Sequence, residues 1–394
     1  MSNNFYSLSL FIKKSFISNL SATDMNHSSR LTQAVIDLDA LVKNYQYIDN
    51  LASNSNTIAV IKADAYGHDA TKVARALSAY VKLFAVGFID EALALRSDGI
   101  DNTVLILEGP FKESDFQIAI ENNFSLMLHS DYQIEWLSAM NPDFSGDIWL
   151  KVDTGMNRLG FHVEQVDDIM SQLTEQQIKK LVLCSHFSTA EQLNSTKPLE
   201  QLDKLKKLVA QYDCKFSMAN SAGILNWPTS HGDHTRLGLA LYGLSPIGES
   251  RLSQPLIPVM TLQANIIAIH TVKAGEYVGY GDIWQAQRET ILATVAIGYA
   301  DGYPRNAKSG TPVFIKGAIA PLVGRVSMDM ITVDITDLTN TDLDNSDIGN
   351  IIIGDTVELW GKNISIDTVA QNSDTINYEL LTRVSKRVPK VITT

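Results

Sequence analysis

From residue 34 to about residue 244, short apolar, β-branched runs alternate with segments whose apolar residues recur at helical spacing. Regular switching between these two periods is typical of βα units that build a parallel sheet. The predicted strands are residues 35–38, 57–61, 84–87, 103–107, 125–128, 148–152, 181–185, 215–218 and 235–239. The predicted helices are residues 70–79, 89–97, 114–122, 131–140, 163–173 and 198–212. About eight such units match a (β/α)8 barrel, so we expect one of these strands, the first, to belong elsewhere.

The pattern changes after Pro255 and Pro258, where helical periodicity almost disappears. Glycine and proline turns separate the β-rich runs 259–272, 290–298, 311–316, 330–335 and 356–360, and two helical segments follow at 366–372 and 375–384. These runs predict a second, mostly antiparallel β-domain. We therefore divide the chain into an extension (1–30), a TIM-like (β/α)8 barrel (31–255) and a C-terminal β-domain (256–394).

Composition and charge narrow the class of protein. The 394 residues suit two domains, and 45% hydrophobic with 19% charged residues is ordinary for a globular protein. A net charge of −12 argues against nucleic acid or an anionic membrane as a partner. Cys184 and Cys214 lie in apolar, strand-like runs, so we interpret them as buried, reduced thiols of a cytoplasmic protein, with a disulfide as the less favoured alternative. Lys13 and Lys14 interrupt the apolar stretch 5–20, unlike a signal peptide, so we expect residues 1–30 to be loosely ordered.

Lys62 follows the predicted strand 57–61 directly, within the segment 59–68. Taken alone, a lysine after an apolar strand is an ordinary surface charge. In a barrel, however, the C-terminal strand ends form the active face. A lysine held there in a dry site can lose its proton and form a Schiff base. Gly67 permits a tight turn into the next helix.

Other polar groups follow other predicted strands. Asn220 and Ser221 taken alone indicate a helix cap, His186 a hydrogen-bonded core histidine and Arg158 a surface charge. Arg236 lies among apolar neighbours, which is costly unless it has a buried partner such as a ligand atom or His186. Their shared placement on one face favours a common site, to which the loop after the strand 148–152 also contributes Asp153, Thr154 and Gly155.

Seven segments of the chain resemble, in their order, the motifs of alanine racemases of the fold-type-III class. They are residues 59–68, 151–160, 218–222, 236–243, 279–281, 297–302 and 324–329. The similarity extends from about residue 34 to residue 388. It implies a homodimeric isomerase that interconverts L- and D-alanine with pyridoxal 5′-phosphate (PLP) and no metal.

The resemblance implies that Lys62 binds PLP covalently. The groups implied to hold the phosphate are Tyr66, Ser221, the backbone amides of Gly238 and Leu239, and Tyr378. Arg236 would face the pyridine nitrogen, and His186 would form a hydrogen bond with this arginine. Because a guanidinium can only donate, the ring stays unprotonated and withdraws electrons weakly. Rapid return of a proton to Cα is then favoured over transamination.

The resemblance also implies two bases, Lys62 and Tyr280, on opposite faces of the bound substrate. Tyr280 would come from the partner subunit, as would Tyr299 at the entrance of the site, although Tyr299 alone is nearly as well explained as a strand-end aromatic. An unperturbed tyrosine, with a pKa of about 10, is a poor base at neutral pH, so we expect His186 and Arg236 to act as the cations that lower the pKa.

The substrate carboxylate is expected to meet Arg158 and the backbone N–H of Met328, and Lys151 matches a lysine that is often carbamylated and then orients Arg158. Two departures from the family pattern are visible. Asn157 stands where glycine is usual, and asparagine is the least costly replacement if φ is positive. Ser217 stands where some members carry histidine.

Several alternatives remain at this point. A decarboxylase of the same architecture would carry a glycine-rich phosphate loop and a carboxylate opposite the pyridine nitrogen, where this chain has Arg236. A non-enzymatic PLP carrier would not need the β-domain that contains Tyr280. A third alternative is a barrel in which Lys62 is an ordinary surface charge, but it does not explain why polar residues cluster at the strand ends. Among racemases, a serine or broad-specificity enzyme is the main alternative. We expect a role in supplying D-alanine for peptidoglycan of the cell wall, although the family supports D-alanine breakdown as well.

Overall fold

The computed structural model describes residues 30–139, 147–248, 252–339 and 351–394. The predicted extension, apart from its last residue, lies outside this range. Nineteen strands are numbered along the described chain as β1 to β19. Within the described residues, no helix has the length and apolarity needed to cross a membrane.

Eight parallel strands close into a barrel, which confirms the predicted (β/α)8 architecture. In spatial order they are β2 (Asn56–Val60), β3 (Leu83–Val86), β4 (Thr103–Ile106), β5 (Phe124–Leu128), β6 (Ile148–Asp153), β8 (Leu181–Cys184), β9 (Lys215–Ser217) and β10 (His234–Leu237), and β10 pairs with β2. The short strand β7 (Phe161–His162) lies beside β6. Strands such as β3 are buried along their whole length because helices cover one face and side chains fill the barrel interior.

Helices follow most of the barrel strands and cover the outside of the barrel. They are Leu38–Leu51, Lys62–Gly67, Ala70–Leu77, Ile89–Ser97, Ser114–Glu121, Asp131–Ala139, Val166–Ser171, Glu175–Lys179, Lys197–Tyr212 and Ser221–Asn226. Three further helices, Thr336–Thr339, Ile366–Asn372 and Asn377–Arg383, lie in the C-terminal part. The last two pack near the open end of the barrel, so the C-terminal part also contributes to the site described below.

The second sheet is mostly antiparallel, as predicted. Its strands in spatial order are β14 (Thr290–Val295), β17 (Ile331–Asp334), β16 (Ala318–Val323), β15 (Pro312–Ile315), β18 (Thr356–Trp360), β11 (Met260–Val272), β1 (Thr32–Asp37) and β19 (Lys390–Thr393). A separate hairpin joins β12 (Tyr277–Val278) and β13 (Trp284–Gln285) around the loop that carries Tyr280.

The strand β1 belongs to this second sheet, although the sequence division assigned residues 31–255 to the barrel. It pairs antiparallel with β11 and parallel with β19. Its side chains alternate between buried and half-buried positions, which suits a sheet with one covered face better than a barrel strand. The first strand therefore lies outside the barrel, as the excess of predicted strands indicated.

Candidate active site

A cavity of about 870 Å³ opens at the C-terminal ends of the barrel strands. Its volume is in the range that holds a cofactor together with a small substrate. It brings together eleven of the residues predicted from the sequence: Lys62, Tyr66, Lys151, Arg158, His186, Asn220, Ser221, Arg236, Gly238, Leu239 and Tyr378. Six of these residues were singled out from the sequence pattern alone, and the other five only from the family resemblance.

Lys62 follows β2 and reaches into the cavity, where its Nζ lies 3.5 Å from Oε1 of Glu108. Glu108 was missed in the sequence analysis, although it follows the predicted strand 103–107 by one residue and obeys the same strand-end rule. The aliphatic part of Lys62 passes Gly87, where an added Cβ would lie 3.8 Å from Lys62 Cβ. At that distance an added Cβ would make ordinary van der Waals contact, so the strand end at Gly87 packs beside Lys62.

The four residues after Lys62 form a left-handed helical turn. Ala63, Asp64, Ala65 and Tyr66 all have φ between 53° and 55°, and Gly67 follows at φ 82°. L-residues avoid this conformation because Cβ crowds the following carbonyl oxygen. The turn directs Tyr66 into the cavity, where its ring stacks on that of Tyr242 at 4.7 Å between centroids.

Backbone N–H groups and hydroxyls meet at one end of the cavity. Oγ of Ser221 accepts hydrogen bonds from the N–H of Gly238 at 3.1 Å and of Ala240 at 3.3 Å, on either side of Leu239. We call this end of the cavity the phosphate cradle; it comprises Tyr66, Ser221, Gly238, Leu239 and Tyr378. A Cβ at Gly238 would lie only 2.8 Å from the hydroxyl of Tyr66, so the cradle needs glycine at this position.

The two tyrosines of the cradle remain protonated. Burial raises the pKa of Tyr66 well above its usual value, and burial together with Glu191 raises the pKa of Tyr378 to about 12. Both hydroxyls are therefore neutral donors. Hydroxyls and backbone N–H groups form the donor set that suits a phosphate dianion, so the residues present fit the phosphate of PLP.

Arg236 is buried, with 5% of its surface exposed, and its guanidinium is held on several sides. The expected contact with His186 is present, because Nη2 lies 3.2 Å from Nδ1 of the imidazole. The remaining acceptors around the guanidinium are Ser217 Oγ at 2.7 Å, Ser185 O at 2.6 Å, Cys184 Sγ at 3.2 Å and Met218 O at 3.3 Å. Ser217, noted from the sequence only as a departure from the family, thus binds this arginine directly.

His186 corrects one expectation from the sequence. Burial, and then the nearby Arg236 and Lys151, hold its pKa well below the usual value, so the imidazole is neutral. Since the guanidinium can only donate, Nδ1 accepts and the ring proton lies on Nε2. The pair was expected to act as two cations, but only Arg236 carries a positive charge.

Lys151 lies in β6 and is buried beneath the cavity. Burial lowers its pKa to about 8, with Arg236 and Arg158 acting in the same direction and Cys184 opposing them. Asn157, in the loop that leads to Arg158, has φ 58°, as expected for a position that usually holds glycine. Asparagine therefore fits this loop without a change of backbone path.

Six predicted site residues do not line the cavity: Asp153, Thr154 and Gly155 at and after the end of β6, and Tyr280, Tyr299 and Met328. The last three lie on the β-domain around the segment 324–328, where Tyr299 N–H donates to Ser327 O at 3.0 Å. Tyr280 is 67% exposed, and Ile283 beside it is also exposed. Within the described chain, the predicted second base and the predicted substrate contacts Tyr299 and Met328 are thus separate from the cavity that holds Lys62.

The cysteine prediction holds in part. Neither Cys184 nor Cys214 forms a disulfide, and Cys184 is buried against Arg236. Cys214, however, is half-buried rather than buried, because it lies between the helix Lys197–Tyr212 and the first residue of β9.

The barrel, the lysine at a strand end and the phosphate cradle define an enzyme of the PLP-dependent barrel class. The family model of the alanine racemase N-terminal domain matches residues 36–246, and that of the C-terminal domain matches residues 259–392. The chain belongs to the alanine racemase family and is an isomerase.

Individual relatives agree with this family. The alanine racemase of Alteromonas mediterranea is 42% identical over 92% of this chain and 99% of its own length. The crystal structure of the biosynthetic alanine racemase of Pseudomonas aeruginosa has a TM-score of 0.85 at 37% identity, covering 93% of this chain and 100% of that one. The alanine racemase of Bartonella henselae, solved with covalently bound pyridoxal phosphate, has a TM-score of 0.82 at 32% identity, covering 92% of this chain and 99% of that one.

Proposed function

We propose that this enzyme, which racemises alanine with PLP as its cofactor, moves the α-proton between Lys62 on one face of the substrate and Tyr280 of a second copy on the other. The observation that supports this most strongly is the division of the site. The cavity holds Lys62 and the phosphate cradle but not Tyr280, Tyr299 or Met328. A homodimer in which each β-domain covers the partner's barrel would complete two such sites.

PLP, when bound, withdraws electrons from Cα of the substrate and so acidifies its C–H bond. The chain supplies the groups that hold and direct this chemistry. Lys62 would bind the cofactor covalently, and the hydroxyls of Tyr66, Ser221 and Tyr378 would hold its phosphate together with the N–H groups near Gly238. Arg236 would offer only donors to the pyridine nitrogen, which would leave that nitrogen unprotonated and favour return of a proton to Cα.

We propose that Arg158, which lines the cavity, binds the substrate carboxylate and that Lys151 carries a carbamate that orients Arg158. The neutral amine attacks carbon dioxide, a nitrogen–carbon bond forms, and one proton leaves to solvent. A pKa of about 8 leaves a sizeable neutral fraction of Lys151 at physiological pH, and Arg158 and Arg236 attract the resulting anion.

Protein equilibrated with ¹³C-bicarbonate should therefore show a carbamate resonance that is absent from Lys151→Ala. A resonance that persists in this variant would contradict the assignment.

The two-base mechanism predicts an asymmetric defect in Tyr280→Phe. Loss of the phenol should slow α-proton removal from one enantiomer by about 10²–10⁴-fold, because a positioned base contributes about that much. Removal from the other enantiomer, by Lys62, should fall far less. Exchange of the α-proton with solvent deuterium, measured separately for L- and D-alanine, checks this. Equal and mild losses for both enantiomers would show that Tyr280 is not the second base.

The proposed cellular role is supply of D-alanine for peptidoglycan in the cytoplasm. The two unpaired thiols agree with a reducing compartment. Growth of cells without this enzyme should then depend on added D-alanine, and unchanged growth in its absence would favour a role in D-alanine breakdown.

A further inference from the structure

We infer that Glu91 is a positioning residue that holds Lys62 in the orientation needed to capture the cofactor. Its carboxylate binds the backbone at the ends of two neighbouring barrel strands. Oε1 accepts the N–H of Ala63 at 2.6 Å, and Oε2 accepts the N–H groups of Gly87 at 2.7 Å and Phe88 at 3.2 Å. One side chain thus connects the end of β2, which carries Lys62, to the end of β3.

Only part of this arrangement is ordinary helix capping. Glu91 lies in the first turn of the helix Ile89–Ser97, where a carboxylate commonly accepts the N–H of the capping residue. Its contact with Phe88 has that character. The contact with Ala63 does not, because Ala63 belongs to another βα unit. Hydrogen bonds from backbone N–H groups to an ionised carboxylate are stronger than those between neutral groups.

Ala63 is the residue immediately after Lys62 and the first of the left-handed turn. Its N–H therefore belongs to the peptide that leads directly from Lys62, and fixing this N–H fixes the direction in which the lysine leaves the backbone. The aliphatic chain of Lys62 also passes Gly87, where an added Cβ would lie 3.8 Å from Lys62 Cβ and 3.9 Å from Lys62 Cδ. Glu91 therefore holds both the backbone beside the lysine and the wall along which the lysine extends.

This inference rests on the proposed role of Lys62 as the cofactor lysine. If Glu91 positions Lys62, its loss should weaken capture of PLP even in molecules that remain folded. Glutamine has the size of glutamate but offers a single acceptor oxygen, so in Glu91→Gln an amide NH₂ group must face either Ala63 or the pair Gly87 and Phe88. One set of hydrogen bonds is then lost.

The test is a titration of cofactor-free protein with PLP, followed by the visible absorbance of the lysine-bound cofactor. Glu91→Gln should raise the Kd for PLP by about tenfold or more, the effect of losing a hydrogen bond to a charged group. Asp90→Asn is the matched control, because Asp90 is an exposed acid in the same helical turn and its substitution removes the same charge. The control should bind PLP as the wild type does.

Thermal unfolding of the cofactor-free proteins separates positioning from stability. If Glu91→Gln lowers the Tm but its folded molecules bind PLP with wild-type affinity, the carboxylate is merely structural and the inference is overturned. If Glu91→Gln does not fold, Glu91→Asp serves in its place, because the shorter side chain cannot reach both strands, and wild-type affinity in this variant overturns the inference equally.

Borohydride reduction of the wild-type holoenzyme followed by peptide mapping distinguishes this inference from the proposed function. Cofactor attached to Lys62 in the wild type, with weak binding by Glu91→Gln, supports both. Attachment to Lys62 with unchanged binding by Glu91→Gln overturns only the role of Glu91. Attachment to another lysine overturns the assignment of Lys62 and this inference with it.

Discussion

His68 illustrates how a single buried group stabilises the residues that follow Lys62. Its Nδ1 lies 3.0 Å from the carbonyl oxygens of Ala65 and Tyr66, and its ring stacks on Tyr242 at 4.6 Å. Since carbonyl oxygens only accept, Nδ1 carries the proton and donates to the left-handed turn. Burial lowers the pKa of His68 to about 4, so the neutral form is present at neutral pH.

This pKa predicts a dependence of stability on pH. Between pH 4 and 6.5 the unfolded chain binds more protons at His68 than the folded chain does, so the free energy of unfolding falls as the pH is lowered through this window. By pH 5 the loss should be about 2 kcal/mol. His68→Gln lacks this titration, so the wild type's advantage over it should shrink by that amount between pH 7 and pH 5. Urea unfolding of the cofactor-free proteins at both pH values checks this, and a constant difference would contradict it.

At the residue scale, much of the site was predictable because polar groups at barrel strand ends converge. That rule identified Lys62 and His186, whereas Arg236 was singled out because a buried arginine among apolar residues needs a partner. Glu91 escaped it because an acidic residue in the first turn of a helix has an ordinary explanation as a cap. Only the fold brings that carboxylate to Ala63.

The turn after Lys62 shows that tertiary contacts can hold L-residues in a left-handed backbone conformation. Each L-residue in this conformation costs about 1–2 kcal/mol, so Ala63, Asp64, Ala65 and Tyr66 do not adopt it by themselves. Asp64 accepts the N–H of Ala70 at 2.9 Å and forms an ion pair with Lys390. Gly67 alone indicated a tight turn in the sequence. The handedness of the turn was not predictable, because its supports are distant in sequence.

Gly67 should be the least replaceable residue of this turn. A Cβ there would lie 2.3 Å from the carbonyl oxygen of Leu381, in the helix Asn377–Arg383 that also carries Tyr378. Gly67→Ala should therefore lower the free energy of unfolding by more than about 2 kcal/mol and weaken PLP binding. Gly99→Ala is the control, because Gly99 has φ 79° with no atom within 4 Å of the added Cβ.

Urea unfolding and PLP titration of both variants measure these effects. In Gly99→Ala the free energy of unfolding should fall only by the cost of the strained backbone, about 1 kcal/mol, and PLP binding should be normal. Equal losses in the two variants would mean that backbone conformation, and not the contact with Leu381, decides the cost at Gly67.

At the scale of the whole molecule, the proposed division of the site between two copies predicts complementation. Lys62→Ala and Tyr280→Phe chains should each be inactive alone. In mixed dimers one of the two sites regains both residues, so random exchange of subunits should restore about a quarter of wild-type activity. Activity measured after mixing, with subunit exchange shown separately, checks this.

The control for that experiment mixes Lys62→Ala chains with chains that carry both substitutions, which should restore no activity. Failure of complementation despite proven exchange would mean that Lys62 and Tyr280 do not act across subunits.

The overall architecture was largely predictable, because the switch from alternating βα periods to β-rich runs marks the change of domain. The position of β1 was predictable only in that nine strands were predicted for a barrel that holds eight. Its partners lie far along the chain, with Ala34 opposite both Leu262 and Lys390, and no local pattern records such a pairing. The closing strand β19 was likewise absent from the sequence prediction.

The position of β1 between β11 and β19 has a consequence for synthesis on the ribosome. All eight barrel strands are translated before β11, and β19 ends at the penultimate residue of the chain. At about 5–20 residues per second, β1 emerges tens of seconds before either neighbour exists. During that interval its backbone donors and acceptors lack their final partners, so β1 can take its place in the second sheet only after all eight barrel strands have been made.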